Sequence, residues 1–188
     1  MKLDLKTILR PALTLMLICL IVTAGLGGVD ALTKDRIAQL AAEAEQQARA
    51  EVLASAESFD TISDTLFAGK GTDGTLTGYV IITEANGYGG KIRVMTGIAI
   101  NGEVTGISIL SHNETVGLGA NCAKESFWQQ FLGLIPGNDK YTVYKFGAAA
   151  PAEGGIEAVS SATISSTAVV KAVNDAVAIF RTQEGVEN

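Results

Sequence analysis

The sequence predicts an α+β protein: one apolar helix of membrane length, then a single domain with a mainly antiparallel sheet and packed helices. Three observations carry this. A charge-free apolar run lies near the N-terminus, a period-two stretch with a hairpin signal fills the middle, and an apolar stripe of helical period closes the chain. Of the 188 residues, 47% are hydrophobic, enough for one cored domain after a single span is set aside.

Pro11 to Val29 contains no charged residue. As a helix rising 1.5 Å per residue this run is about 28 Å long, close to the roughly 30 Å hydrocarbon core. Lys2, Lys6 and Arg10 precede it, whereas Asp30, Lys34, Asp35 and Arg36 nearly cancel behind it. The positive-inside rule then puts the N-terminus in the cytoplasm and the bulk of the chain outside. Val22-Thr23-Ala24 resembles a signal cleavage site, but the run exceeds a usual signal core, so an uncleaved anchor is expected. From Thr33 to about Ala56, Ile37, Leu40, Ala44, Ala48 and Val52 share a helical face, and Glu45 and Arg49 form an i,i+4 pair. That alanine-rich stripe is thin, and light packing on the domain is expected. The resulting organisation is a cytoplasmic tail (1–10), a transmembrane helix (11–32), a connecting amphipathic helix (33–58) and an extracytoplasmic domain (59–188).

Phe59 to Gly74 reads as an irregular connection with a short extended piece. Thr77 to Glu84 is a strand, broken by Asn86-Gly87-Tyr88-Gly89-Gly90. In the strand Lys91 to Ile100, residues Ile92, Val94, Thr96, Ile98 and Ile100 alternate on one side. Asn101-Gly102 predicts a type I′ hairpin, with Val104 to Leu110 returning. A loop from Ser111 to Gly119 holds two glycines around Leu118, which suits a backbone that approaches something closely. Cys122 to Leu132 is expected as a helix with Phe127 and Phe131 one turn apart, ended by Gly133. A strand from Tyr141 to Phe146 follows. The last helix runs from about Ser165 to Arg181, with Val169, Val173, Val177 and Phe180 inside.

Charge and cysteine usage exclude several functions. The net charge is −6, and a tail of net +2 leaves −8 for the rest, so nucleic acid, whose binding is dominated by lysine and arginine, is excluded as a partner. Cys19 and Cys122 lie far apart, His112 is the single histidine, and no four-ligand metal site is expected. No general base or nucleophile constellation stands out, so no catalytic residue is expected.

The candidate site is the stretch 157–166, Glu-Ala-Val-Ser-Ser-Ala-Thr-Ile-Ser-Ser. Small residues turn the chain just ahead of a helix, whose unpaired N–H groups and partial positive charge stabilise a phosphate. Thr163 places a hydroxyl there, with Ser160, Ser161, Ser165 and Ser166 as further donors. The alternative is a serine-rich helix cap.

Three segments, Gly87-Tyr88-Gly89-Gly90, the loop His112 to Gly119, and Ser160 to Ser166, stand in this order behind one span. Together they resemble the FMN-binding domain of the G subunit in Rnf-type ion-translocating ferredoxin:NAD oxidoreductases. The same domain type occurs in the C subunit of the sodium-pumping NADH:quinone reductases. The resemblance implies covalent FMN: in such proteins a flavin transferase esterifies the phosphate to the last threonine of Asp-x-x-Ser-Gly-Ala-Thr, which matches Thr163. Here Glu157 replaces the Asp, Ser161 the Gly, and Val116 the Pro of His-x-Glu-Thr-Pro-Gly-Leu-Gly. A positive φ at Ser161 would carry a penalty.

By the same resemblance Gly89, Gly90, Gly117, Leu118 and Gly119 border the flavin, while Glu114 and Thr115 hydrogen-bond the loop or the flavin. Tyr88 stacks or fills the rim, Ala162 belongs to the threonine motif, and His112 is structural. The implied function is electron relay, without independent substrate turnover, in a membrane complex that couples ferredoxin/NAD chemistry to Na⁺ or H⁺ movement. Its partners would be other membrane subunits, one of them bearing a second flavin. The alternatives are the quinone-reductase subunit, a free-standing extracellular electron-transfer flavoprotein, and a non-redox membrane-tethered binding module.

Overall fold

The computed structural model describes residues 5–145, 147–183 and 185. Lys2 and Asp4 of the tail and Phe146 at the end of an expected strand lie outside them. The chain divides at Ala44/Glu45 into two compact units, each considered by itself.

In the first unit runs most of helix α1 (Leu5–Val52), with Pro11 near its start. Leu13, Met16, Leu20 and Leu26 are all exposed, and the most apolar stretch, of mean hydropathy 2.3, has none of its residues buried. An apolar helix with nothing packed on it is the form a lipid-facing segment takes.

The second unit is built on a six-stranded antiparallel sheet in chain order: β1 (Ser58–Ser63), β2 (Leu66–Lys70), β3 (Leu76–Asn86), β4 (Lys91–Ala99), β5 (Glu103–Ser111) and β6 (Gly133–Leu134). β1 and β2 occupy the stretch read as an irregular connection with one short extended piece. Most of β1 is exposed and polar, because it is an edge strand with little apolar alternation to betray it. Between β4 and β5 the hairpin is present, but its turn is not type I′: among the described residues of the turn only Gly102 has positive φ (+80°). Gly102 N–H donates to the Ala99 carbonyl at 2.9 Å, and Asn101 Oδ1 accepts from Glu103 N–H at 3.1 Å. That side-chain bond holds Asn101 at negative φ, so the hairpin closes with a longer loop and a shifted register between Gly97 and Ile98.

Both faces of the sheet are covered. On one lies helix α3 (Thr163–Gln183), whose Val169, Val173, Val177 and Phe180 are at most 1% exposed against Ile81, Val94 and Ile98. Each such burial contributes roughly 1.5–3 kcal/mol. Thr83 Oγ1 ties the sheet to α3 by donating to the Ala172 carbonyl at 2.8 Å. The other face receives the end of α1 and its exit: Ala48, Val52, Leu53 and Ala56 pack on Phe67, Val80, Ile82 and Met95.

Of the thin alanine stripe only Ala48 and Val52 are buried, while Ile37, Leu40 and Ala44 are exposed, so the packing is tight but confined to the end of the helix. Gly97 and Gly106 stand opposite, and a Cβ on Gly97 would lie 2.1 Å from the Val52 carbonyl oxygen. Glycine there lets the helix end reach the sheet backbone, where Thr105 Oγ1 donates to Val52 O at 2.5 Å. Glu45 and Arg49 do pair, at 2.6 Å, and the Arg49 guanidinium lies 3.7 Å from the centre of the Phe67 ring.

The segment expected as one helix over 122–132 is instead a 3₁₀ turn (Gly119–Ala123), a single α turn α2 (Glu125–Trp128) and another 3₁₀ turn (Gln129–Phe131). Lys124, extended at φ −78° and ψ 147°, interrupts it. Phe127 and Phe131 nonetheless meet edge-to-face at 5.8 Å, and Tyr141 joins Phe131 at 5.2 Å. Tyr141 Oη donates to Phe131 O at 3.0 Å, and burial pushes its phenol up to about 12. A short parallel pair, β7 (Thr142–Tyr144) with β8 (Gly155–Glu157), then delivers the chain to α3.

Candidate functional site

The turn ahead of α3 is closed by Ala162 N–H donating to Val159 O at 2.9 Å. Its third residue, Ser161, has φ +61°, so the serine that replaces a glycine does sit in left-handed backbone. Ala162 accepts the first helical bond, from Ser166 N–H at 3.0 Å, and is therefore the N-cap. Alanine has no side-chain acceptor, so the amides of Thr163, Ile164 and Ser165 lie ahead of the first helical bond without a capping side chain. Thr163 is exposed at the first helical position, and no described residue hydrogen-bonds its Oγ1.

Around this helix start lies a cleft of about 560 Å³, lined by Tyr88, Glu114, Thr115, Leu118, Gly119 and the stretch Ser161–Ser165. Its size falls in the range of roughly 300–1,000 Å³ usual for small-molecule sites. The rim is apolar and open: Tyr88 is 74%, Ile164 58% and Leu118 43% exposed. Among the described residues no lysine or arginine lines it.

Glu114 holds the floor together. Only 7% exposed, it accepts from Gly89 N–H on Oε1 at 2.9 Å and from Ser165 Oγ on Oε2 at 2.5 Å. Its own N–H donates to His112 Nδ1 at 3.2 Å, which gives the histidine a local structural partner. The neighbouring glycines are required by this carboxylate. A Cβ on Gly87 would come within 2.3 Å of Oε1, and one on Gly119 within 2.4 Å of both Oε2 and Ser165 Oγ. Thr115 O accepts from Leu118 N–H at 3.1 Å across a turn whose third residue, Gly117, has φ +83°. Val116, in place of proline, is the second residue of that turn, a position open to either.

Of the candidate residues, the structure brings Tyr88, Glu114, Thr115, Leu118, Gly119, Ser161, Ala162, Thr163 and Ser165 into one cleft. Gly89, Gly90, Gly117, Ser160 and Ser166 do not line it. Gly89 acts through its bond to Glu114, and a Cβ there would lie 2.1 Å from Asn113 O. Gly90, at φ +138°, receives Gly87 N–H on its carbonyl at 2.7 Å and so shapes the loop that carries Tyr88. Ser160 faces a separate hollow beside Lys124 and Gln130. Ser166 is fully buried: its Oγ accepts from Val159 N–H and donates to Ala162 O, both at 3.0 Å, clasping the turn to the helix.

Glu157 also lies away from the cleft. Gln130 Oε1 accepts from its N–H at 2.7 Å, and its Oε1 accepts from Gly147 N–H at 3.2 Å. The extra methylene at this position therefore leaves the cleft lining unchanged. Two residues went unread in the sequence. Ile164 is an apolar residue facing outward at a helix start, and its exposed position in the motif was the available signal. Asn121, whose Nδ2 donates to Gly117 O at 2.8 Å, carries no local signal. Buried Cys122 lies 3.7 Å from Ser166 Oγ. Burial pushes its thiol up, the Ser166 hydrogen bond opposes this, and the Glu114 carboxylate adds to it.

Comparison with known proteins bears on this geometry. Residues 87–178 match the FMN-binding domain family and residues 1–52 the RnfG N-terminal region. The G subunit of the ion-translocating oxidoreductase complex of Methanosarcina acetivorans is 30% identical over 97% of this chain and 99% of its own. The G subunit of the Na(+)-translocating ferredoxin:NAD(+) oxidoreductase complex of Acetobacterium woodii is 28% identical over 96% of this chain and 95% of its own. Among solved structures, the C subunit of the Na(+)-translocating NADH-quinone reductase from Parabacteroides distasonis superposes with TM-score 0.55 at 21% identity, covering 65% of this chain and 63% of that one. Shewanella oneidensis NqrC gives 0.54 at 18%, covering 74% of each, and both likenesses speak to the fold alone.

Proposed function

The chain belongs to the family of G subunits of ion-translocating oxidoreductase complexes, and on that premise we propose that it is a membrane-anchored flavoprotein with FMN held as a phosphodiester on Thr163. One observation carries the proposal: the free Thr163 hydroxyl stands at the first position of α3, behind an alanine cap, in an apolar-rimmed cleft that no described lysine or arginine lines. A free phosphate of near −2 charge would meet only the helix's half-charge there. A diester keeps a single negative charge, which three amides and the helix N-terminus suit better. In forming it the Thr163 oxygen loses its proton and gains the bond to phosphorus, while the leaving group of an activated flavin nucleotide takes the electron pair of the bond that breaks.

FMN, when bound, supplies electron transfer. The chain's own residues supply position: Tyr88, Leu118 and Ile164 offer apolar surface to a ring system, and Glu114 and Ser165 hold the helix start against the loops. Electrons would pass between redox centres of other membrane subunits, one bearing a second flavin, and a flavin transferase would be needed for maturation. The single span would place the N-terminus inside and residues 59–188 on the outer face of the cell membrane. Because Pro11 to Val29 lacks charge, the ion path belongs to partner subunits.

The test is ultraviolet fluorescence of the denatured band after co-expression with a flavin transferase. A glowing band that Thr163→Ala abolishes is the expected result. A dark wild-type band would favour a non-redox tethered module, and a band that survives Thr163→Ala would place the flavin elsewhere.

A further inference from the structure

Glu114 is more than a brace. It is a buried carboxylate in the wall of the cleft, and both of its partners there are neutral: a backbone N–H and a serine hydroxyl. Among the described residues no lysine or arginine lines the cleft to balance it. Its surroundings hold few other groups that titrate. His112 faces it from its own loop and already accepts its N–H, and Tyr88 stands on the rim contributed by the β3–β4 loop. Cys122 lies behind the 3₁₀ turn, where burial keeps its thiol protonated. The polar side chains that helix α3 presents to this cleft are the hydroxyls of Thr163 and Ser165, neither of them charged.

The partner on Oε2 has a special property. A hydroxyl both donates and accepts, so Ser165 Oγ donates to an ionised Glu114 and accepts from a protonated one without either side chain moving. The other oxygen can keep Gly89 N–H in both states. The protein therefore holds a carboxyl that can change charge at almost no cost in geometry, beside a cleft where further negative charge has no cation to meet it.

We propose that Glu114 is the redox-linked proton acceptor of the cleft: when an electron enters the group held there, Oε2 takes a proton from solvent at the cleft mouth and donates its hydrogen bond to Ser165. One electron from the donor centre and one proton from water leave the site's net charge unchanged. Reoxidation returns both. The inference rests on the reading that a redox cofactor occupies the cleft.

Glu114→Gln isolates the charge. Its carbonyl oxygen accepts from Gly89 and its amide donates to Ser165 Oγ, so both bonds survive while the exchangeable proton of the carboxyl is lost. The experiment uses the detergent-solubilised full chain, co-expressed with a flavin transferase, and follows midpoint potential against pH. The wild-type potential is expected to fall with rising pH over one segment of the curve. Glu114→Gln should lack that segment and be easier to reduce at alkaline pH by about tenfold in equilibrium, about 59 mV for a one-electron couple.

A second measurement needs no variant to load. The reduced-minus-oxidised infrared spectrum of the wild type should show a protonated-carboxyl stretch that shifts in D₂O. Ser165→Ala, which keeps the charge, should retain the band. A loaded wild type without that band, or a loaded Glu114→Gln with unchanged potentials at every pH, overturns this inference alone. A dark wild-type band removes the cofactor reading and this inference together.

Discussion

Ser161→Gly tests the backbone at the centre of the site. Ser161 is held at φ +61°, where an L residue with a Cβ costs roughly 1–2 kcal/mol. Glycine removes that cost but enlarges the unfolded ensemble, which takes back roughly 0.4–1 kcal/mol. The Ser161 side chain is exposed and makes no hydrogen bond to a described residue, so nothing else is lost. The net expectation is a gain of about 0.5–1 kcal/mol. Urea unfolding of the detergent-solubilised full chain reads it directly, because Trp128 is the one tryptophan and packs at the edge of the main core. The midpoint should rise with the slope unchanged. Ser161→Ala, which keeps the Cβ, should not rise. An unchanged or lowered midpoint for glycine, or an equal rise for alanine, would refute the argument that this turn stores backbone strain.

Further predictions concern packing and pH. Gly97→Ala drives a Cβ into the Val52 carbonyl and should cost about 1–3 kcal/mol, read as a lowered urea midpoint; a neutral result would mean that the end of α1 does not dock on the sheet. Gly119→Ala collides with both Glu114 and Ser165, so it should lower stability by a similar about 1–3 kcal/mol and reduce covalent flavin loading on a fluorescent gel. Tyr141 titrates at about 12 when folded against its ordinary 10. Its contribution is therefore intact below about pH 10 and lost as pH rises towards 12, because the unfolded chain releases the proton first. The wild type should lose about 2–3 kcal/mol more than Tyr141→Phe between about pH 9 and pH 12. Parallel pH curves for the two would rule that out.

Much of the fold was legible because periodicity survives translation into structure. The α3 stripe, the β3–β4–β5 meander and the Phe127–Phe131 spacing each hold in three dimensions. Helicity over 122–132 did not, since spacing records which side chains are buried and not whether Lys124 lets the backbone continue. β1 escaped notice because an edge strand needs no apolar face. The turn at Asn101-Gly102 went another way because Asn101 Oδ1 accepts from Glu103 N–H, a local side-chain bond that competes with the dipeptide's usual preference.

For the site, local sequence was enough to find a threonine at a helix start with small residues before it, since capping chemistry acts over four or five residues. By itself the sequence determined the apolar span, the β3–β4–β5 meander, the closing helix, and the Thr163 hydroxyl as the group to watch. Only the tertiary structure decided which motif residues line the cleft and which brace it. Glu114 and Ser165 are far apart in the chain, yet they meet at 2.5 Å because α3 lies across β3 and β4. The two departures nearest Thr163 were likewise separated only in space. Glu157 points to Gly147, away from the cleft, whereas Ser161 carries the left-handed turn that opens it. Contacts of that range depend on how elements pack, and no local pattern of residues encodes them.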